Sequence, residues 1–349
     1  MKGIFMEKSL KKDIIINRLP VVIYFILIFA ALMVIISAVA PMSNHEPKTT
    51  DTYSDFSTGW LNCEESEASL DHLSGTTVIH RTITAADCNK TLFFFAKTSN
   101  IKVFIDGVCQ YRNNHFCSQF FGKTPGALFV NVLIPAESDG KLLEIEIENP
   151  YKDDDSAKLD EMYIGDISDI IQFQQQKRFN SFCISFIIMV LGVVMLLLFI
   201  PLTRQKIVGI EFLNLGVTAF VSGLYLTTDG RYLQLVFGDA HIYHVIAETA
   251  LRLSILPFLI FLSQMYDSYS KRISAILCVI GEIVFAGCFI GEITEIMDYH
   301  ETLFLVHVVF AISMLFILVS TIKGIVKAPK ENIYHNIGCI VLSLSLIHI

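Results

Sequence analysis

The chain has 349 residues, of which 53% are apolar and 17% charged, and its mean hydropathy is +0.56. A soluble protein typically carries about 25% charged residues, so the composition predicts an integral membrane protein. Residues 42–178 hold 21 acidic and 12 basic residues, whereas the rest of the chain holds 13 and 14. An acidic module among apolar, mildly basic segments argues against nucleic-acid binding.

Seven stretches reach or approach the roughly 20 apolar residues that a membrane-spanning helix needs. They are residues 19–40, 182–202, 207–228, 242–266, 273–292, 302–322 and 333–349. The last stretch is incomplete, because the sequence stops at Ile349 inside the apolar run, without a basic flank. We therefore expect the gene product to continue beyond this residue, with a protein that ends in a membrane helix as the alternative.

Lysine and arginine residues predict the orientation of these segments, because they favour the cytoplasmic side. Five of them precede the first span, within residues 1–18, and seven more lie in three short loops, at 203–206, 267–272 and 323–332. The two alternate loops, 229–241 and 293–301, contain Arg231 as their only basic residue, against five acidic residues. The pattern predicts a multi-pass plasma-membrane protein with a cytoplasmic N-terminus and an extracytoplasmic module at 42–178.

The first apolar stretch allows two interpretations. Ala38, Val39 and Ala40 have the small side chains of a signal-peptidase site. However, Pro41 would follow the cut, and the apolar run is longer than the 7–15 residues of a usual signal peptide. We expect an uncleaved signal-anchor helix, with cleavage as the alternative.

The extracytoplasmic module has the sequence pattern of an all-β domain. Its short runs of alternating or β-branched residues predict strands at 76–84, 92–97, 101–105, 108–111, 126–134 and 141–148. Asp106-Gly107 is a pair that favours a two-residue hairpin turn. The fold class predicted for the whole chain is therefore an α-helical membrane bundle with an extracytoplasmic, jelly-roll-like β-sandwich.

Four cysteines lie in this module, where disulfides can form. Cys63, Cys88, Cys109 and Cys117 could form two disulfides, with three possible connectivities, and we expect the Cys109–Cys117 pair because it closes a short loop. The alternative is that all four are buried free thiols. The cysteine and histidine residues show no metal-ligand spacing, so we expect neither a metal site nor a cofactor.

Four segments of the module resemble the galactose-binding-like jelly rolls found in one family of bacterial proteins. They are FSTGW at 56–60, KVFIDGVCQY at 102–111, GKTPGALFVNVLIP at 122–135 and KLLEIEIEN at 141–149. Together with the signal-anchor and the helices that follow, the chain resembles the seven-transmembrane receptors with diverse intracellular signalling modules. In that family seven helices follow the domain and the last one leads to a cytoplasmic output domain. In this chain six predicted spans follow the domain, and the sixth is incomplete.

The resemblance implies a sensory receptor whose output domain, absent from this chain, is a diguanylate cyclase (GGDEF) or, as the second choice, a histidine kinase. It also implies a homodimer embedded in lipid. The chain contains no phosphate-binding loop and no hydrolase, metalloprotease or cyclase motif. We therefore expect the visible part not to be an enzyme. Alternatives are a transporter or permease subunit with an accessory β-domain, or an envelope protein that binds polysaccharide.

A small-molecule or carbohydrate ligand would need aromatic platforms beside polar groups. Residues of these types precede the first predicted strand or begin the long loop expected after the strand at 108–111: Trp60, Tyr111, Asn113, Asn114, His115 and Phe116. The alternative is that the aromatic residues belong to the sandwich core, as most do in such domains.

Ionisable residues inside spans are costly and often functional. Glu248 and Arg252 are four residues apart and are expected to pair on one helix face. Glu282 has no partner on its own segment, so we expect it to face the bundle interior and meet Arg252 or water. His307 lies nearer the outer end of its span. The alternatives for this set are a neutralised packing pair and a polar switch or small-ligand pocket.

Overall fold

A computed structural model describes residues 52–113, 126–151, 156–238, 240–263 and 268–327. In this part of the chain, strands come first and helices follow. The strands are β1 (Tyr53–Asp55), β2 (Leu61–Asn62), β3 (Thr76–Thr82), β4 (Thr91–Lys97), β5 (Asn100–Ile105), β6 (Val108–Arg112), β7 (Ala127–Leu133), β8 (Leu142–Glu148) and β9 (Lys158–Gly165). The helices are α1 (Ile167–Arg204), α2 (Ile210–Asp229), α3 (Tyr232–Phe237), α4 (Ala240–Ser263), α5 (Ser268–Ile293) and α6 (Tyr299–Lys327).

The strands form two antiparallel sheets, with strand orders β1-β9-β4-β7 and β2-β3-β8-β5-β6. All six strands expected from the sequence are present, with ends shifted by one or two residues. The predicted hairpin joins β5 to β6, and both turn residues have positive φ, 49° at Asp106 and 74° at Gly107. The short strands β1 and β2 and the longer β9 were not predicted.

The two sheets share one apolar core. Alternate residues of β8 point into it, and Leu143, Ile145 and Ile147 are each 0% exposed. The facing strand β4 contributes Leu92 and Phe94, also fully buried. Each such side chain stabilises the fold by about 1.5–3 kcal/mol relative to an exposed position. The alternation therefore fixes which face of each sheet turns inward.

Five of the helices, α1, α2, α4, α5 and α6, are long and apolar enough to cross a membrane. The chain is thus a β-sheet domain followed by helices of a multi-pass membrane protein. The predicted spans at 19–40 and 333–349 lie outside the described residues. With 38 residues, α1 is about 57 Å long, longer than the roughly 30 Å apolar layer of a bilayer. The domain boundary expected at 178 falls inside α1, because the last strand ends at Gly165.

The helices pack in sequence, α1 against α2, α2 against α4, and both α5 and α6 against α4. Glycines allow α1 and α2 to approach closely. A Cβ added to Gly223 would lie 2.4 Å from the backbone nitrogen of Met189, and one on Gly192 would lie 2.3 Å from that of Phe220. Small residues at such crossings let the two backbones pack closely, and this van der Waals packing stabilises helix pairs in lipid, where the hydrophobic effect does not.

Candidate functional site at the junction of the β-domain and the helices

The β-domain is joined to α1 without a flexible linker. β9 ends at Gly165, and α1 begins two residues later at Ile167. The intervening Asp166 is the N-cap, and its carboxylate accepts a 2.8 Å hydrogen bond from the backbone N–H of Ser168. Hydrogen bonds from the Ser168 hydroxyl and N–H hold the pKa of Asp166 below its ordinary value. The last strand of the domain and the first spanning helix are therefore separated by a single residue.

Glu161 of β9 makes an ionic contact with α1. Its carboxylate accepts hydrogen bonds from Lys177 at 2.8 Å and from Arg178 at 2.5 Å. Burial alone would raise the pKa of Glu161, but the two cations outweigh it and hold that pKa below its ordinary value. The side chains of Glu161 and Arg178 are only 15% and 11% exposed, so solvent screens this pair less than a surface pair.

A β-bulge directs Glu161 toward the helix. The register between β4 and β9 shifts between Phe93 and Phe95, and Glu161 adopts the left-handed conformation with a φ of 52°. A bulge of this kind re-aims a side chain at the cost of regular pairing. Here it turns the carboxylate away from the strand ladder and toward α1.

The outer face of the β1-β9-β4-β7 sheet is aromatic and is covered by helices. Phe93 and Phe95 of β4 are 1% and 3% exposed and contact Phe129 of β7, with ring centroids 5.3 and 5.4 Å apart. Two guanidinium groups lie over this cluster: that of Arg178 is 5.0 Å from the Phe129 ring, and that of Arg231 is 3.8 Å from the Phe95 ring. Burial lowers the pKa of Arg231 from its ordinary value.

The start of α6 makes a second contact with the domain. The Tyr151 hydroxyl donates a 2.5 Å hydrogen bond to the Asp298 carboxylate, and the Tyr151 ring lies 4.2 Å from that of His300. His300 also lies 3.4 Å from the Ser156 hydroxyl. Asp298 and Glu301 exchange hydrogen bonds with each other's backbone N–H groups, both at 3.0 Å. This is a capping box. Asp298, which accepts the hydrogen bond from Tyr151, is therefore also the N-cap of α6.

The third contact is between β7 and α4. Gly126 has a φ of +76°, and a Cβ at this position would lie 2.4 Å from the His244 ring. The carbonyl of Gly126 accepts a 2.8 Å hydrogen bond from the N–H of Thr98, in the turn between β4 and β5. The domain therefore approaches α4 as closely as a residue without a side chain permits.

A buried polar cluster continues from this contact into the helices. His244, Glu248 and Arg252 are spaced four residues apart, which places them on one face of α4. Glu248 and Arg252 form the ion pair that their spacing predicts, at 2.5 Å. The Arg252 side chain is 1% exposed; its guanidinium also donates a 2.6 Å hydrogen bond to the Tyr299 carbonyl and lies 4.1 Å from the Tyr299 ring. This arrangement connects α4 to the first residue of α6.

The other two intramembrane residues lie elsewhere. Glu282 is exposed on the surface of α5 within the described residues, so the expected contact with Arg252 is not made there, whereas contact with water stays a prediction. The buried face of α5 contains Ser274, Cys278 and Gly281, and the next residue along the chain is rotated by about 100° from that face. His307 of α6 is likewise exposed.

The residues predicted to contact a ligand divide into three groups. Trp60 is 1% exposed, stacks edge-on against Phe56 at 5.9 Å and donates a hydrogen bond to the Phe56 carbonyl, so it is a core residue and not an open sugar platform. Tyr111 is half-buried, and the Asn113 side chain accepts a 2.7 Å hydrogen bond from the N–H of Ile101. Asn114, His115 and Phe116 lie outside the described residues.

The cysteine and metal expectations concern the same region. Cys109 is exposed. Its predicted partner Cys117 lies outside the described residues, so the disulfide stays a prediction. Among the described residues, no group of three or more histidine, cysteine or acidic side chains could hold a metal ion.

Most junction residues were not anticipated from the sequence. The Asp298-x-x-Glu301 capping box was a readable signal for the start of α6. Arg231 was noted only as the single basic residue of the outer loops. The contacts of Tyr151, Glu161 and Arg178 depend on tertiary packing and leave no local pattern.

No known protein family, curated protein or solved structure matches the chain. Ion pairs join the domain to α1, a cation–π contact joins it to Arg231 before α3, and a charge-assisted hydrogen bond joins it to Asp298 before α6.

Proposed function

We propose that the chain is the input part of a membrane sensory receptor, in which ligand binding to the β-domain displaces the helices behind it. The observation that carries the proposal is the junction. A domain on a flexible linker could move without consequence for the membrane segment. This domain contacts α1 through Glu161 and α6 through Tyr151, so a change in its position breaks those bonds or moves the helices.

The strand order supports a jelly-roll-like sandwich for the sensing domain. When β2 is set aside, the eight remaining strands form two four-stranded sheets, β1-β9-β4-β7 and β3-β8-β5-β6. Eight antiparallel strands divided in this way are the arrangement of a jelly roll, a fold that commonly serves in lectins. This agrees with the resemblance to galactose-binding-like domains.

The orientation is supported by the position of the junction. The two loops that the charge pattern assigns to the extracytoplasmic side contain Arg231 and Asp298, and both residues contact the β-domain. The domain and these loops therefore share one side of the membrane, as the proposed topology requires. That topology keeps the N-terminus in the cytoplasm and the module at 42–178 outside.

The finer assignments rest on the family resemblance. They are a carbohydrate-like ligand, a homodimer, and a cytoplasmic output domain that is a diguanylate cyclase or, as the second choice, a histidine kinase. Ligand control requires different affinities for two arrangements of the helices. In this proposal the Tyr151 and Glu161 contacts are made in one arrangement and broken in the other.

Hydrogen exchange of the chain in lipid nanodiscs tests the proposal, with D-galactose, D-glucose and N-acetylglucosamine as probes. We expect one of these sugars to slow exchange in the β-domain and to change it in residues 205–209, between α1 and α2. The double variant Tyr151→Phe, Glu161→Gln should keep the change in the domain and lose the change in the loop. A sugar that protects the domain but leaves 205–209 unchanged in the natural sequence argues against a receptor. If none of the three sugars changes the exchange, the carbohydrate class is excluded.

A further inference from the structure

The extracytoplasmic helix ends present an exposed apolar surface that is distinct from the junction. In α3 and the residues after it, Val236 is 46%, Phe237 71% and Ile242 52% exposed. In the connection between α5 and α6, Ile296 is 74% and Met297 44% exposed. We call these five side chains the loop surface. Large apolar side chains that stay exposed in two connections between spanning helices favour contact with an apolar environment over contact with water.

The position of α3 restricts what this surface can touch. The helix lies in the short connection between two membrane-type segments, Ile210–Asp229 and Ala240–Phe261, so both of its ends are held near the edge of the apolar layer. The sequence of α3, YLQLVF, contains no charged residue. The second connection, residues 294–298 between Ile293 and Tyr299, is shorter still and is held in the same way.

The opposite side of α3 is occupied by protein. The Tyr232 ring stacks on that of Phe182 in α1 at 4.5 Å, and Arg231, immediately before the helix, lies over Phe95 of the β-domain. α3 is therefore a two-sided element, with one side fixed to α1 and the domain and the other side apolar and open.

We propose that the loop surface is a lipid-binding site, in which Phe237 and Ile296 insert into the extracytoplasmic leaflet at the boundary between headgroups and acyl chains. Interfacial helices of this kind bury their apolar face about 5–10 Å into that boundary. Aromatic residues are enriched at the same level of membrane proteins. Insertion of α3 sets the height of Arg231, and thereby of the β-domain docked on it, above the membrane.

Tryptophan fluorescence in phosphatidylcholine vesicles tests this proposal, because the chain has a single natural tryptophan, Trp60, which is 1% exposed in the domain core. Trp60 gives a background that external quenchers do not reach. The test variant is Phe237→Trp, and the matched control is Val108→Trp, at a 61% exposed position on β6 of the domain. Each is measured with lipids that carry a nitroxide quencher near the headgroup or near the chain end, and with aqueous iodide.

We expect the shallow nitroxide to reduce the fluorescence added at position 237 roughly twofold and more than the deep nitroxide does, with little effect of iodide. The control should show the reverse, quenching by iodide and not by either nitroxide. Quenching of position 237 by iodide alone would overturn the proposal and make the loop surface water-facing. Protection from all quenchers would also overturn it, because it would mean that protein, such as a second copy, covers the surface. If Phe237→Trp does not fold, Ile296→Trp decides by the same criteria.

Discussion

Tyr151, three residues after the end of β8, donates its phenolic hydrogen bond to Asp298, the residue that caps α6, at 2.5 Å. One carboxylate thus serves both the start of a membrane-type helix and the docking of the domain. Both residues are buried, at 7% and 6% exposure, so neither partner can turn to water if the other is removed. The bond joins residues 147 positions apart, and it is one of the contacts that holds the two parts of the chain together.

Replacing Tyr151 with Phe should destabilise the folded protein by about 1.5–3 kcal/mol, because a buried carboxylate loses a charge-assisted donor. The ring and its contact with His300 are kept by this substitution. Urea unfolding in detergent micelles, followed by the circular dichroism of the strands, measures the change. The matched control is Tyr111→Phe, in a half-buried position of β6, which should change stability by less than about 0.5 kcal/mol. Equal effects of the two substitutions would contradict a special role for the bond to Asp298.

The Glu161 contact predicts a dependence of docking on pH. Because the cations of α1 hold the pKa of Glu161 below its ordinary value of about 4.5, the contact stabilises docking fully above that value. The stabilisation is lost as the pH falls through the lowered pKa of the folded state. Hydrogen exchange at the start of α1, measured from pH 7 to pH 3 with correction for intrinsic rates, should rise at the acidic end.

The variant Glu161→Gln should show faster exchange at neutral pH and a flatter pH profile than the natural sequence. Glu65→Gln, at an exposed position of the domain, is the control and should preserve the natural profile. A steep profile that persists in Glu161→Gln would assign the pH dependence to another group.

The sequence predicted the strands whose side chains alternate cleanly, because burial on one sheet face imposes that pattern. β8 (LLEIEIE) is the clearest example. β9 was missed because the bulge at Glu161 interrupts the alternation of its buried and exposed residues. β1 and β2 were missed because strands of three and two residues are too short to show an alternating pattern. Local pattern therefore predicts the sandwich interior well and its irregular strands poorly.

The site residues were harder to predict, because their roles depend on which elements meet. Glu248 and Arg252 interact within one helix, so their spacing alone predicted the pair. Glu282 was placed inside because of its charge, although helix rotation puts it on the surface. Trp60 has the chemistry of a sugar platform and the position of a core residue, and only the packing distinguishes the two.

Gly126→Ala should loosen the contact between β7 and α4. Alanine would have to tolerate a φ of +76° and a Cβ that overlaps the His244 ring. Gly140→Ala is a matched control, because Gly140 has a φ of +74° and nothing within 4 Å of an added Cβ. We expect the control to cost about 1 kcal/mol, from backbone strain alone, and Gly126→Ala to cost about 1–3 kcal/mol more, from the clash.

The clash itself can be isolated with a second substitution. In the double variant Gly126→Ala, His244→Ala, the ring that overlaps the new methyl group is absent. Thermal unfolding should therefore show that the two substitutions together cost less than the sum of their separate effects. Strict additivity would mean that Gly126 and His244 do not meet in the folded protein.

Arg252→Gln should destabilise the helices strongly, because it leaves the Glu248 carboxylate without its cation in a buried setting. Breaking one partner of a buried pair typically costs about 3–5 kcal/mol. The Tyr299 carbonyl also loses the guanidinium donor, so the start of α6 should loosen with it. Unfolding by sodium dodecyl sulfate in mixed micelles gives the free energy. Arg204→Gln, at the exposed end of α1, is the control and should have little effect.

The double variant Glu248→Gln, Arg252→Gln shows whether Arg252 stabilises the helices by neutralising Glu248 or through its contacts with Tyr299. Two neutral amides can hydrogen-bond to each other four residues apart on a helix, and no uncompensated charge remains. We expect the double variant to recover at least half of the stability lost in Arg252→Gln. If it recovers none, the contacts of Arg252 with Tyr299, and not its pairing with Glu248, hold α4 and α6 together.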